Sequence, residues 1–256
     1  MSNKWTASKI YTYILTKLAG AGFILSLIGL FLLINNRFDL FDFSETLSTP
    51  FLWVILYGYG IFCSLVIDLL NLKYNLNDVV RRGLYIGAGF IIFLIQGVNL
   101  ITIMAGVIGA GSAFLFYIAM NLSSKSKLFK YIFSIALPII LVIVASLDFT
   151  VKKHWVERLD HTNKTFSAEF DYFNGHHEIP IHVEKGNTLT FSVDIINKNG
   201  GGHGLHILDD HNNLVGINET NNHTYSLKAE REQAYKIVLK GDDLQGSYFV
   251  KWTVEE

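Results

Sequence analysis

Up to about residue 150 the apolar residues run in long unbroken blocks; beyond it they fall into short alternating runs separated by turn residues. The first pattern predicts helices buried on every side, and the second predicts antiparallel strands with one covered face. Tyr11 to Ile34 is long enough, at 1.5 Å per residue, to cross a hydrocarbon core of about 30 Å. Ala19-Gly20-Ala21 has the small residues of a cleavage site, but the strongest apolar stretch, Phe23 to Ile34, follows it, which argues for a retained span rather than a signal peptide. A second span runs from Phe51 to about Leu70, opened by Pro50 and closed by Asp68, Asn71 and Lys73. Residues 83 to 121 are almost wholly uncharged and would measure about 58 Å as one helix, roughly twice what a bilayer accommodates. They should therefore fold back, with Gln96-Gly97-Val98-Asn99 as the turn. A last span, Phe129 to Leu147, carries Pro138 as a kink.

Five spans place the two termini on opposite sides. Lys4, Lys9, Lys17, Lys73, Arg81, Arg82, Lys125, Lys127 and Lys130 then flank the inner ends, which leaves the remainder of the chain outside. Charge alone does not separate this arrangement from one of four spans, which exposes the lysines near 127 and internalises Lys152, Lys153 and Arg158. Segment length favours five.

The alternating region predicts about eight strands: Thr165 to Phe173, Ile179 to Glu184, Thr188 to Ile196, Gly204 to Asp209, Leu214 to Asn218, His223 to Ala229, Ala234 to Leu239 and Ser247 to Val254. Asn174-Gly175, Lys185-Gly186-Asn187, residues 209–213 and Gly241-Asp242-Asp243 read as turns. Leu189, Phe191, Val193 and Ile195 share one face, as do Tyr235, Ile237 and Leu239, and Tyr248, Val250, Trp252 and Val254. Two sheets packed on those faces make a small antiparallel β-sandwich. The expected fold is thus a membrane α-helical bundle at 1–150, a juxtamembrane linker or stalk at 151–164, and an all-β domain at 165–256.

Charge follows the same division. Residues 1–150 carry ten Lys and Arg against six Asp and Glu, and residues 151–256 carry eleven against sixteen. An acidic exposed part argues against nucleic acid as a partner. Cys63 is the single cysteine and lies in an apolar run, so no disulfide framework exists.

The stretch Tyr57-Gly-Tyr-Gly-Ile-Phe-Cys-Ser-Leu-Val-Ile-Asp-Leu-Leu, with Arg81-Arg82 and the glycine-rich hairpin after it, resembles uncharacterised multi-pass membrane proteins of low-GC Gram-positive bacteria over roughly residues 50–125. That likeness implies a bacterial plasma membrane and brings no activity with it. From Lys185 onward, Leu205-His-Ile-Leu-Asp and the closing Gly246-Ser-Tyr-Phe-Val-Lys-Trp resemble β-sandwich segments of bacterial surface lipoproteins. This implies an external location; no lipobox cysteine is present, so the spans would supply the anchor.

All nine histidines lie beyond residue 150. His203, His206 and His211 accompany Asp209 and Asp210, while His176, His177 and His182 form a second group, and imidazole with carboxylate suits zinc or copper. Spacing works against both sets. His203 and His206 point to opposite faces of a strand, and His176 and His177 diverge likewise. Solvated histidines on a polar face, or a surface that responds to pH near 6.5, account for the same residues. His154, Glu157 and His161 would share a face only if the last span continued outward as a helix. His177-Glu178 with His182 lacks the spacing of a metalloprotease helix and is interrupted by Pro180. Asn163, Asn218 and Asn222 open glycosylation sequons, relevant only in a eukaryotic source.

Neither a nucleophile elbow nor a phosphate-binding glycine loop occurs. The expectation is a non-enzymatic integral membrane protein, without cofactor, that presents an external β-sandwich to an extracellular protein, small ligand or surface condition. Metal handling through the histidines, with zinc or copper bound, and a small transporter or channel with a regulatory domain are the alternatives. Gly106, Gly109, Ala110, Gly111 and Ala113 allow close helix approach, either within the hairpin or between copies in a homo-oligomer. Asp68 at the inner interface, Asp148 at the outer one, and Gln96 and Asn99 in a turn read as edge residues rather than a conduction path.

Overall fold

The computed structural model describes residues 7–95, 97–221 and 223–255. Lys4, Gln96 of the expected turn and Asn222 of one sequon lie outside the described residues. The chain divides into two compact units, Met1–Asp148 and Phe149–Glu256.

The first unit consists of helices α1 (Ala7–Asn35), α2 (Leu40–Ser48), α3 (Pro50–Tyr74), α4 (Asp78–Leu94), α5 (Leu100–Lys125) and α6 (Lys127–Ala145). Local chemistry sets their ends. Asp39 caps α2 by accepting from the amides of Phe41 and Asp42, and Asn77 caps α4 by accepting from Val80. At α5, Asn99 Oδ1 accepts from the Thr102 amide while Thr102 Oγ1 accepts from that of Asn99, a reciprocal capping box. This cap, with Gly97 at φ +105°, makes the turn after α4, so residues 83–121 fold back as the uncharged length requires.

Contacts between rods fix an alternating up-and-down order. Lys17 on α1 reaches Ser64 and Asp68 on α3, and Tyr59 on α3 donates to the Ala88 carbonyl on α4 at 2.7 Å. A Cβ on Gly89 of α4 would lie 2.3 Å from the Gly109 carbonyl oxygen of α5, and one on Gly109 would lie equally close to that of Gly89. Gly106 and Gly109 are therefore spent on the hairpin itself, while Gly111 faces open space. The last rod returns along α1, where Phe23 meets Phe129 and Phe133 at 5.6 and 5.1 Å between ring centroids. Near the far end, Ser48 of α2 donates to the Ala145 carbonyl at 2.7 Å.

Pro138 does not simply kink α6. A wide π-type turn at Ile132–Ala136 precedes it, easing the clash between the proline ring and the carbonyl four residues earlier. The displaced backbone has a receiver on α1, since a Cβ on Gly22 would sit 1.8 Å from the Phe133 oxygen. Four helices, α1, α3, α5 and α6, are long and apolar enough to cross a membrane. The fifth rod, α4, has 17 residues, about 25 Å.

In the second unit the described residues form nine antiparallel strands, close to the eight or so expected, joined in one sheet where two were expected. They are β1 (Val151–Lys153), β2 (Val156–Asp160), β3 (Thr165–Val183), β4 (Thr188–Asn197), β5 (Gly202–Leu208), β6 (Leu214–Val215), β7 (Asn218–Asn221), β8 (Thr224–Lys228) and β9 (Gln233–Glu255). Two of them absorb expected pairs. β3 continues through Asn174-Gly175 and β9 through Gly241-Asp242-Asp243, where turns were expected. Register shifts at Phe170, Phe173 and Gly175 bend β3 without reversing it, and Gly175 at φ +137° takes a conformation few side chains tolerate.

The first half of β3 pairs with the second half of β9, and the second half of β3 with the first half of β9. β4 extends one half of β9 and β5 the other. One sheet thus folds over a single core, which gathers Phe166, Phe170, Leu189, Phe191, Ile237 and Val250 from both halves. Leu189, Phe191 and Val193 alternate inward as their spacing required.

The stretch 151–164 is not a linker or stalk. β1 pairs with Lys153↔Tyr172 and its neighbours, and β2 with residues 165–169, because Val151, Trp155 and Val156 have strand-forming side chains and no helical periodicity. His154, Glu157 and His161 consequently do not share a helical face.

Candidate functional site

Two polar constellations stand out, one in each unit. In the helical unit, Lys17 is 5% exposed and its Nζ donates to Ser64 Oγ at 2.6 Å and to Asp68 Oδ2 at 2.5 Å. Tyr13 donates to the same carboxylate oxygen at 2.7 Å, and the Ser64 and Tyr85 hydroxyls lie 2.8 Å apart. Arg81 approaches the other carboxylate oxygen at 4.0 Å and lies over the Tyr117 ring at 5.8 Å. Both charges are therefore compensated by hydrogen bonds as well as by each other, which burial of ions requires.

The sequence placed both residues at membrane edges. α3 continues six residues beyond Asp68 to Tyr74 and α1 begins ten residues before Lys17, and the two side chains turn inward between the helices, 22% and 6% exposed. An acidic and a basic residue, each within an otherwise apolar run, was the available signal.

In the β unit, His177 lies at the edge of the core between aromatic rings. Phe166 stacks on it at 4.9 Å and Trp155 is tilted against it at 5.1 Å. Lys152 Nζ donates to His177 Nδ1 at 2.8 Å and sits 4.4 Å above the Trp155 ring. That bond leaves the ring proton on Nε2, which lies 3.6 Å from Glu157 Oε2, itself the acceptor of a 2.6 Å bond from Trp155 Nε1. The cluster fastens β1 and β2 onto β3.

Burial first, and the Lys152 ammonium second, push the His177 imidazole down to about 4, against an opposing pull from Glu157 and Glu178. Because the native state resists a proton that the unfolded chain accepts near 6.5, the stability contribution is full above that pH. It is lost as pH falls toward 4. With allowance for solvent screening, acidification across this window should cost the β unit about 2 kcal/mol. Denaturant unfolding followed by tryptophan fluorescence between pH 7 and 4 checks this, and His177→Phe should flatten the dependence.

The remaining histidines are dispersed. His203 is exposed at the start of β5 beside Asn197, and His206 points to the other face, as the odd spacing demands. His182 faces Glu232 at 3.4 Å, His154 faces Asp171 at 2.7 Å, and His211 faces Asp210 at 3.7 Å, all exposed. His176 diverges from His177 and lies in register with Lys240. Asp209 is committed to a turn, accepting from Asn213 side chain and backbone and from the His211 amide, which hold its carboxyl below the usual range.

Among the described residues, no three His, Cys, Asp or Glu side chains converge on a point that could hold a metal ion. The set His203, His206, Asp209 and His211 is divided by the two faces of β5 and a turn. The set His176, His177 and His182 is divided by strand alternation and by the burial of His177. Titration with zinc or copper should accordingly give no saturable binding tighter than about 10 μM, or roughly 6.8 kcal/mol. No protein family and no curated protein matches the chain.

Proposed function

We propose that this chain is a five-span protein of a bacterial plasma membrane that holds its β unit outside the cell. There the unit recognises an extracellular partner, ligand or surface condition, without catalysing a reaction. One observation carries the reading: the up-and-down order of the rods collects the basic residues at one end of the helical unit. Lys9, Lys73, Arg81, Arg82, Lys125 and Lys127 lie at the start of α1 and at the α3–α4 and α5–α6 connections. The Asn35 end, from which the chain leaves through Ala145, carries Asp39, Asp42, Glu45 and Asp148 against Arg37, with Lys152, Lys153 and Arg158 following beyond the exit. Positive residues stay on the cytoplasmic side, so the exit is external.

The α4–α5 turn supports counting α4 as a span, since a capped hairpin returns the chain after about 25 Å of helix. In the β unit, the His177 cluster supports recognition over catalysis, because its lysine, glutamate and tryptophan are engaged with one another. The helical network supports a structural role over conduction, since Lys17 and Asp68 satisfy each other.

Labelling single cysteines in a Cys63→Ala background tests the arrangement. A membrane-impermeant maleimide added to intact cells should reach a cysteine at Val98, in the α4–α5 turn, and miss one at Ser126. The reverse pattern would mean either an inverted protein or the four-span order that exposes the lysines near 127, and labelling of neither would return α4 and α5 to one side; each outcome contradicts the proposal.

A further inference from the structure

The helical unit contains a cavity of about 440 Å³ bounded by α1, α3, α4 and α5, within the size range of small-molecule sites. Its lining is almost entirely aliphatic and aromatic, with Ile28, Leu56, Ile92 and Phe93 among the walls. Its hydroxyls are few, and of those between its two ends Tyr59 is committed to the Ala88 carbonyl and Ser112 belongs to α5. Thr46 and Thr49 form one end, beside α2, and Tyr85 closes the other, where its own hydroxyl is taken by Ser64. Water filling such a space would find few partners, whereas hydrocarbon would lose none.

Length and access narrow the occupant. From Tyr85 to Phe93 on α4 the lining covers about 12 Å, and from Phe51 to Cys63 on α3 about 18 Å. The mean is close to half of a hydrocarbon core of about 30 Å, the depth of one leaflet. Phe51 and Ile108, both lining residues, are exposed on the outside of the bundle, so the space opens sideways. At the threonine end, Asp39, Asp42 and Glu45 outnumber Arg37, which disfavours an anionic headgroup and favours an ammonium.

We propose that the cavity holds one acyl chain of a membrane lipid from the leaflet on the α2 side, with an amine-bearing headgroup at the Thr46–Thr49 rim. The proposal rests on the helical unit lying in a bilayer, and not on which side of it the β unit lies.

The test is photolabelling of the full chain in phosphatidylglycerol vesicles, using trace phosphatidylethanolamine with a diazirine near the tail end. Cross-links should concentrate on residues 85–93 and 108–116 and fall at least fivefold when unlabelled phosphatidylethanolamine is added in excess. Ser112→Phe, which fills the space, should abolish them, whereas Val107→Phe, on the same helix and away from the cavity, should not. Phosphatidylglycerol carrying the same diazirine should label the cavity far less, and equal labelling would overturn the headgroup assignment. Labelling spread over outward residues such as Val107, without competition, would overturn the cavity site while leaving the membrane reading intact. Absence of labelling anywhere on the helices would overturn both. If Ser112→Phe fails to fold, competition on the unaltered protein decides.

Discussion

Replacing Asp68 with asparagine should destabilise the helical unit by about 3 kcal/mol or more, because Lys17 would remain buried with its charge uncompensated. The ammonium has no route to solvent: its side chain is 6% exposed, and its other acceptor, Ser64, is neutral and fully buried. Lys17→Met should cost less, since Asp68 keeps the Tyr13 hydroxyl and has Arg81 within 4.0 Å. Replacing both, as Lys17→Met with Asp68→Leu, should recover most of the loss. An exposed pair makes the contrast. Lys198 and Glu169 lie 3.4 Å apart with side chains 51% and 74% exposed, and breaking them should cost about 0.5 kcal/mol at most. Reversible unfolding of the purified chain in mild detergent measures all four variants.

Gly89→Val should be comparably damaging through sterics alone. Even the first added carbon would stand 2.3 Å from the Gly109 oxygen and 2.7 Å from the Ala113 methyl, so α4 and α5 would have to separate. A rigid backbone oxygen cannot turn aside as a side chain can, which places the cost at about 3 kcal/mol, the upper end for overpacking. Gly111→Val on the partnering α5 meets nothing within 4 Å and should change stability by less than about 1 kcal/mol, since valine is no worse a helix former than glycine. The pair of variants distinguishes packing within the hairpin from packing between copies, as Gly111 is the residue free to serve the latter.

Both predictions concern features that sequence carries unequally. The hairpin was legible because 39 uncharged residues exceed a bilayer's thickness, and because glycine and asparagine marked the turn. Which glycines would meet was not, since that depends on how α4 and α5 rotate about their axes. Lys17 and Asp68 were visible as residues but not as a pair: they are 51 positions apart, and flanking-charge rules assign each separately to an interface. In the β unit the inward faces of β4 and β9 followed from alternation. The continuity of β3 through Asn174-Gly175 did not, because an Asn-Gly step signals a turn as readily as a bulge.

The histidines illustrate the same limit. Their alternation correctly separated His203 from His206, yet it gave no sign that His177 is half-buried among Trp155, Phe166 and Lys152. That environment depends on β1 and β2, which occupy residues read from sequence as a linker. Chemistry assembled across strands that pairing brings together is hidden from local spacing.

Protease added to intact cells tests the central reading most directly. If five rods cross the membrane and the β unit lies outside, cleavage near residue 150 should release a fragment holding β1 to β9 while leaving the helices membrane-bound. A β unit that stays protected until the cells are permeabilised would place it inside and contradict the account.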